Sequence, residues 1–276
     1  MERILSVQDI SCVGKCSLTV ALPIVSAMGI ECAILPTAVL SAHTAFRGYT
    51  FRDLTEDLSG IIDHWQREKL DFRAVYTGYL GSQEQLDTVA RLFAAYPTSY
   101  RIVDPVMGDN GRLYPGFTEE FAKEMGKLCQ KADYILPNMT EACYMMGLPY
   151  PGTDYDEIYV RDMLDILTRR GPRVAVLTGV SLERGKVGAM AYDREADEYF
   201  YYCREQFPAT FHGTGDIFAS TFTGALVRSG DYKEALRVAV DYTVECIRLT
   251  LENPDHVSYG VEFERAIPYL CRRIEE

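Results

Sequence analysis

The sequence has no apolar run of about 18 residues, so it offers no candidate for a helix that spans a membrane. Basic residues are also few: 28 lysines and arginines stand against 40 aspartates and glutamates, which gives a net charge of −12. This excess of negative charge argues against a nucleic acid or an anionic membrane as the main partner. Residues 1–7 enter a strand pattern at once and show no signal peptide, so we expect a cytoplasmic protein.

Two motifs are missing that would have pointed to other chemistries. Without a Walker A motif, the chain is not expected to be a P-loop kinase. Without a Cys-x-x-Cys pair, a zinc site or a disulfide framework is not expected either. The cysteines lie mostly in apolar segments, where we expect buried, reduced thiols, and they stand at positions 12, 16, 32, 129, 143, 203, 246 and 271.

Strand-like and helix-like segments alternate along the chain, with no repeat or linker between them. We therefore expect one domain over residues 1–276, an α/β protein with a three-layer α/β/α sandwich whose mostly parallel central sheet is flanked by helices. Predicted strands cover residues 4–10, 32–40, 74–80, 101–106, 134–137 and 174–178, with an antiparallel pair at 186–193 and 198–205. Predicted helices cover residues 15–28, 53–69, 83–96, 119–131, 157–170, 233–252 and 262–274.

The stretch Gly213-Thr214-Gly215-Asp216 places a glycine-rich turn directly before a further helix pattern. Free N–H groups and the positive end of a helix dipole make such a turn an anion site, most often for phosphate. Asp216 is expected to stay ionised there and to take a proton from an attacking hydroxyl. The alternative is that Asp216 is only an N-cap and the glycines only a turn, and the motif alone leaves both open.

Polar residues fall at or just after the predicted strand ends. In an open parallel sheet the carboxyl ends of the strands form the ligand crevice, so we expect these residues to share one binding site. They are Asp9, Tyr79, Asp104, Asn138, Glu141 and Thr178.

Five segments together resemble the ribokinase-like superfamily, and within it the pyridoxal kinase branch, which phosphorylates vitamin B6. Asn-x-x-Glu at 138–141 and Gly-Thr-Gly-Asp at 213–216 are specific for the superfamily. Gly-Tyr-Leu-Gly-Ser at 78–82, Asp-Pro-Val-Met-Gly at 104–108 and Ser-Ala-His-Thr at 41–44 are typical of the branch. The resemblance runs in order over nearly the whole chain, and it implies a ribokinase-like fold.

The resemblance also implies roles in phosphoryl transfer. Asp216 would be the base that activates the 5′-hydroxymethyl group of the vitamer, and residues 213–215 would form the anion hole. Asp104 and Glu141 would act at the metal and the phosphates, Glu141 through water. This arrangement suits the reaction, because phosphoryl transfer depends on placement and charge neutralisation, and Mg²⁺ prefers a few carboxylates together with phosphate oxygens and waters.

Further residues would bind the two substrates. Asn138 would lie beside the triphosphate, Thr178 and Gly179 along ATP, and residues 109–116, with Tyr114, would form a lid that excludes water. The residues expected around the pyridine ring are Asp9, His43, Thr44 and Tyr79. The family commonly forms homodimers and uses ATP with Mg²⁺, often with a monovalent cation such as K⁺.

Two positions depart from the branch. Pyridoxal kinases usually carry Gln-Ser-His where this chain has Gln8-Asp9-Ile10. A carboxylate at position 9 could pair with the amine of pyridoxamine and favour that vitamer, or it could bind only the ring nitrogen or a water. Leu136 stands where some relatives have a hydroxyl residue, which weakens the inference about phosphate contacts.

Three other functions compete with a B6 vitamer kinase. A hydroxymethylpyrimidine kinase would have the same fold, but its usual first-strand Gly-Ser-Asp motif is missing here. A sugar kinase would often carry an early lid insertion, which is not visible. A non-catalytic vitamin or nucleotide sensor is disfavoured because Asp216, the glycines beside it and Glu141 are all present.

Overall fold

The structure, a computed structural model, describes residues 2–276 and contains within them one nine-stranded sheet and a separate two-stranded hairpin. The strands in chain order are β1 (Arg3–Ser11), β2 (Glu31–Leu40), β3 (Phe51–Asp53), β4 (Ala74–Thr77), β5 (Tyr100–Val103), β6 (Gly108–Asp109), β7 (Arg112–Leu113), β8 (Tyr134–Ile135), β9 (Val174–Val180), β10 (Lys186–Asp193) and β11 (Glu198–Glu205). The sheet has the order β11-β10-β9-β8-β5-β4-β1-β2-β3, and the hairpin pairs β6 with β7.

The centre of the sheet is parallel and its edges are antiparallel. Neighbouring strands from β9 through β2 run in the same direction. Strand β3 closes one edge, and β10 with β11 closes the other, all in antiparallel register. The prediction of a mostly parallel sheet is thus confirmed, and the predicted antiparallel pair has the predicted bounds.

Helices cover both faces of the sheet. They are α1 (Leu18–Ala27), α2 (Thr55–Arg67), α3 (Gln83–Ala95), α4 (Glu119–Cys129), α5 (Met139–Met146), α6 (Glu157–Arg169), α7 (Thr214–Ser229), α8 (Tyr232–Leu251) and α9 (Phe263–Arg273). Within residues 2–276, none is both long and apolar enough to cross a bilayer.

Alternation along the strands divides the buried residues into two cores. Ile4 packs with α1, α7, α8 and α9, whereas the next residue, Leu5, packs with α2 through α6. Successive strand side chains point to opposite faces, so a strand buried on both sides reads as a continuous apolar run. This pattern confirms the predicted three-layer sandwich.

Three differences from the predicted elements lie near the crevice. Helix α1 begins at Leu18, not at residue 15, because residues 12–17 form a loop. Helix α5 was not predicted, and three residues separate its start from the end of the short strand β8. Strand β1 runs to Ser11 and β9 to Val180, so Asp9 and Thr178 lie inside strands, not at their ends.

Candidate active site

The N-terminus of α7 is open. Gly213 is its N-cap with φ 79°, and no side chain caps the helix. A Cβ on Gly213 would overlap the carbonyl oxygen of Lys15, so only glycine lets this turn press against the loop at 12–17. The first N–H groups of a helix have no acceptor within it, and here they are left for a ligand. The turn therefore has the features of an anion site.

Asp216 lies in the first turn of α7 and is only partly exposed. Removal from water raises the pKa of its carboxyl to about 7. The backbone N–H of Ser17 lowers this pKa, while the charge of Asp9 raises it. Burial thus opposes the ionised state expected for this carboxylate. Near neutral pH the group exchanges a proton readily, which suits a general base.

The Asn-x-x-Glu motif forms a complete capping box at the start of α5. The Asn138 side chain accepts from the Glu141 N–H at 3.0 Å, and Glu141 Oε2 accepts from the Asn138 N–H at 2.9 Å. Glu141 Oε1 accepts from the Met107 N–H at 3.2 Å, and Asn138 Nδ2 donates to the Gly108 carbonyl at 2.9 Å. The motif thus ties α5 to the segment that follows β5.

Asp104 and Glu141 form a buried acidic pair beside Asp216. Burial raises the pKa of Glu141 to about 8, against the effect of its N–H donors. Burial also raises the pKa of Asp104 well above its usual range, and the charges of Glu141 and Asp216 add to the shift. Within residues 2–276, none of these carboxylates has a lysine, arginine or histidine partner. A cation would therefore be stabilised there.

The donor set fits a hydrated metal bound together with phosphate, not a cage made of protein ligands. The part of the chain that the structure describes contains no group of three or more His, Cys, Asp or Glu side chains able to hold a metal. Both oxygens of Glu141 already accept backbone N–H groups. Asp104 accepts no such bond in the described contacts and keeps its oxygens for a cation. This matches the way Mg²⁺ binds, through one or two carboxylates, phosphates and waters.

Two hydroxyl-bearing segments surround the acids. Tyr114 follows the β6–β7 hairpin, and its pKa is raised by burial and then by the charges of Glu141 and other acids, Asp104 and Asp216 among them. Thr178 bridges in parallel to Asn138, and its N–H donates to the Pro137 carbonyl at 2.9 Å. Both segments therefore lie at the edge of the sheet where α5 begins.

Gly179 continues that edge with φ 71° and open space where a Cβ would be. The hairpin loop is fixed to α5, since the Gly111 N–H donates to Thr140 Oγ1 at 2.9 Å. The residues predicted to lie along ATP thus come together around the start of α5.

The residues expected around the pyridine ring lie on β1, on the segment after β4 and on the loop after β2. Asp9 is 5% exposed and accepts from Ser11 Oγ at 3.1 Å. Burial raises the pKa of Tyr79, with a further contribution from the charge of Asp9. The ring of His43 lies 5.0 Å from that of His212. Thr44 is exposed on the same loop and has no hydrogen bond to the others among the described contacts.

The loop at 12–17 was missed at the level of the sequence. Cys16 lies near both Asp216 and Asp9, and burial raises the pKa of its thiol to about 12. Ser17 is buried and stands directly before α1. The helix predicted over residues 15–28 covered this loop. A serine before an apolar helix pattern is a common N-cap signal, and it could have placed the start of the helix at residue 18.

Comparisons with known proteins identify relatives of the whole chain. Residues 25–260 match a family model described as phosphomethylpyrimidine kinase. A Bacteroides thetaiotaomicron protein named as a phosphomethylpyrimidine kinase, solved with pyridoxal, is 38% identical with a TM-score of 0.91, covering 98% of this chain and 95% of that one. A pyridoxal kinase from Lactobacillus plantarum is 31% identical with a TM-score of 0.90, covering 99% and 97%.

A curated relative agrees with these structures. The pyridoxal kinase PdxY of Granulibacter bethesdensis is 27% identical over 263 residues, which cover 91% of this chain and 90% of the relative. The similarity therefore extends through every element that lines the crevice.

Proposed function

The chain belongs to the phosphomethylpyrimidine kinase family, and we propose that it transfers the terminal phosphoryl group of ATP to the 5′-hydroxymethyl group of a B6 vitamer. The Bacteroides structure with pyridoxal and the pyridoxal kinases from Lactobacillus and Granulibacter support this acceptor. The acceptor is pyridoxal, pyridoxamine or pyridoxine, and the activity resides in one domain over residues 1–276.

Asp216 acts as the general base. Its carboxyl has a pKa of about 7 and lies in the first turn of α7, so at neutral pH a large fraction is ready to accept the proton of the vitamer hydroxyl. The N–H groups of residues 213–215 hold the transferred phosphoryl group. The base and the anion hole thus come from one turn of one helix, which fixes their relative placement.

Asp104 and Glu141 would hold Mg²⁺, Asp104 through its free oxygens and Glu141 through water, and the ion would supply positive charge to neutralise the phosphates. Asn138 contacts the triphosphate from the start of α5. Thr178, Gly179 and Tyr114 line the remainder of the nucleotide site. A monovalent cation such as K⁺ assists, and the protein works as a homodimer, which size-exclusion chromatography with light scattering would test.

Asp9, His43, Thr44 and Tyr79 bind the vitamer ring. Asp9 is buried beside the base and has no cationic side chain as partner among the described residues. The amine of pyridoxamine would supply this missing cationic partner, which favours pyridoxamine as the substrate. Contact of Asp9 with only the ring nitrogen or a water would give no such preference. Steady-state kinetics that rank pyridoxal at or above pyridoxamine would contradict the pairing with the amine.

The observation that carries the proposal is the open, glycine-capped start of α7 with Asp216 in its first turn. We would measure ATP consumption with Mg²⁺ and K⁺ against pyridoxamine, pyridoxal, pyridoxine, hydroxymethylpyrimidine and ribose. Turnover with a vitamer that disappears in Asp216→Asn is the expected result. Asp231→Asn is the matched control, because Asp231 also opens a helix but lies beyond the opposite end of α7.

One alternative is supported by a specific observation, the description of the matched family as phosphomethylpyrimidine kinase. Turnover with hydroxymethylpyrimidine alone would favour that function. Tight binding of vitamer or ATP without turnover would instead favour a sensor.

A further inference from the structure

Gly78 is the first residue after β4, and its backbone φ is not positive. The backbone conformation therefore does not require glycine at this position. The available space does, because a Cβ on Gly78 would overlap the side-chain amide of Gln8, which lies across this position from the neighbouring strand β1. The first glycine of the Gly-Tyr-Leu-Gly-Ser segment thus makes room for a polar side chain.

The amide of Gln8 is fully buried and has a hydrogen-bond partner at one end only. Its Nε2 donates to Ser6 Oγ at 2.7 Å, whereas its Oε1 accepts no hydrogen bond from any residue between 2 and 276. Tyr76 lies two residues before Gly78 and so faces the same side of the sheet, and its buried hydroxyl also has no partner in that range. Buried polar atoms without partners cost free energy, so a hydrogen-bond donor is expected beside Gln8 Oε1.

The strand register places Asp104 on the far side of Gly78. The aligned strands β1, β4 and β5 continue into a row formed by Gln8, Gly78 and Asp104. The Gly78 N–H donates to the Val7 carbonyl at 3.2 Å, and the Asp104 N–H donates to the Thr77 carbonyl at 3.0 Å. Residues two or four positions earlier on these strands pack in the core on the α7 side, so the row faces α7.

Two acceptors therefore lie on one face of the sheet, about one strand spacing apart. Neighbouring strands are about 4.8 Å apart, and the Gln8 amide already reaches over the strand next to Asp104. With a cation bound, the Asp104 carboxylate is ionised and has no hydrogen to donate to Gln8 Oε1. A gap of this size suits one water molecule, which can donate a hydrogen to each of the two oxygens.

We propose that Gln8 is a positioning residue for the cation site at Asp104, and that a buried water between its amide oxygen and the carboxylate links the two. The inference rests on the proposed function for the role of Asp104. The water holds one carboxylate oxygen, which directs the other oxygen to the cation. Partners that orient a metal ligand in this way typically change metal affinity about 10- to 100-fold.

Gln8→Met fills nearly the same space but removes the acceptor oxygen. We expect the complex of the protein with ADP to bind Mn²⁺ about tenfold more weakly, as measured by electron paramagnetic resonance of the free ion. The variant keeps the packing of the side chain, so a merely structural role of Gln8 would leave the Mn²⁺ affinity unchanged.

Gly78→Ala reaches the same contact from the neighbouring strand, because its Cβ displaces the Gln8 amide. We expect it to weaken Mn²⁺ binding by a similar factor. Gly224→Ala is the matched control, since a Cβ there would press on the flexible side chain of Met28 within the core on the α7 side. It should leave the Mn²⁺ affinity unchanged.

A double-mutant cycle of Gln8→Ala and Gly78→Ala tests the crossing of the two residues. Without the amide, the new Cβ has room, so Gly78→Ala should change the Mn²⁺ affinity less than about twofold in the Gln8→Ala background. It should also lower the free energy of unfolding in the wild-type background but not in the Gln8→Ala background. Additive losses in both quantities, or an unchanged Mn²⁺ affinity in Gln8→Met, would overturn the proposal.

These measurements also separate the inference from the proposed function. Wild-type protein that binds Mn²⁺ no better than Asp104→Asn would contradict the role of Asp104 at the cation, and with it both proposals. A Mn²⁺ site that Asp104→Asn loses and Gln8→Met keeps would contradict the inference alone. A crystal structure of the complex with Mn²⁺ and ADP should contain an ordered water between Gln8 Oε1 and Asp104, and a direct hydrogen bond there would overturn the link through water.

Discussion

The N-termini of α5 and α7 lie at the same crevice, but the first is capped by side chains and the second is not. At α5, Asn138 and Glu141 satisfy each other's N–H groups, and the backbone N–H of Met107 adds a further bond. At α7, Gly213 provides no side chain, and no capping bond is made. The comparison shows that a closed helix start serves to fix loops, whereas an open start leaves N–H groups for an anion.

The two acids near these helix starts differ in the same way. Glu141 has both oxygens engaged by backbone donors, whereas Asp216 accepts no hydrogen bond among the described contacts and is partly exposed. Burial raises the pKa of both, to about 8 and about 7. Glu141 is thus suited to a structural and water-mediated role, and Asp216 to proton transfer. Four changes test this contrast.

The largest effect is expected at the base. Asp216→Asn keeps the shape of the side chain but removes its basicity, so kcat should fall about 10²- to 10⁴-fold. The folded state should not lose stability above neutral pH, because burial disfavours the charged carboxylate that the amide replaces. Rapid-quench turnover and thermal unfolding measure the two quantities, and a variant with more than about a tenth of wild-type kcat would contradict the role of the base.

Adding a side chain at the uncapped start of α7 should have the next largest effect. Gly213→Ala forces a Cβ into the left-handed region and against the Lys15 carbonyl, and we expect a loss of about 2 kcal/mol or more of unfolding free energy, together with lower kcat. Gly230→Ala is the control, because Gly230 has φ 68° but open space for a Cβ. It should cost about 1 kcal/mol and leave kcat unchanged. Equal losses in the two variants would show that the contact with Lys15 is unimportant.

Removing the cap of α5 should have a smaller effect on the free energy of unfolding. Asn138→Ala removes the side chain that caps α5, and we expect a loss of about 0.5–2 kcal/mol in unfolding free energy, with a higher KM for ATP. Ser82→Ala is the control, because the Ser82 hydroxyl caps α3 by accepting from the Gln85 N–H at 3.3 Å. It should lower the free energy of unfolding by a similar amount and leave the KM for ATP unchanged. Denaturant unfolding and steady-state kinetics separate the two variants. An Asn138→Ala enzyme with wild-type KM for ATP would limit Asn138 to a structural role.

The smallest effect is a shift in pH dependence. Since the base must be ionised, kcat/KM should fall about tenfold per pH unit below about pH 7 and level off above it. The charge of Asp9 raises the pKa of Asp216. Asp9→Asn should therefore move the acidic limb of the pH profile, where kcat/KM falls, to lower pH by a fraction of a unit. A pH profile of both enzymes measures the shift, and a limb that moves to higher pH would contradict the sign.

Patterns that are local in the sequence predicted much of this molecule. The apolar alternation and turn residues gave β10 and β11 with their observed bounds, and the glycine-rich turn before α7 was found from residues 213–216 alone. Features that depend on distant partners were not predictable. The raised pKa of Asp216 depends on burial and on Ser17 and Asp9, about 200 residues away in the sequence. Ser17 itself was hidden by the apolar pattern of α1, which continues to its N-terminal side.

The start of α5 was missed for a different reason. Three residues separate its eight residues from the end of β8, and their largely apolar character resembles a further buried strand. The capping box was present in the sequence as Asn-x-x-Glu, but it was interpreted only as a family motif. Taken as a helix start, the same motif would have predicted α5.

The central claim is that the open start of α7, and not the closed start of α5, receives the transferred phosphoryl group. A crystal structure with Mg²⁺, a non-hydrolysable ATP analogue and pyridoxamine tests it most directly. We predict that the γ-phosphate oxygens accept N–H groups of residues 213–215, with the vitamer hydroxyl beside Asp216. A γ-phosphate bound elsewhere, with the α7 turn free of ligand and the hydroxyl away from Asp216, would contradict the account.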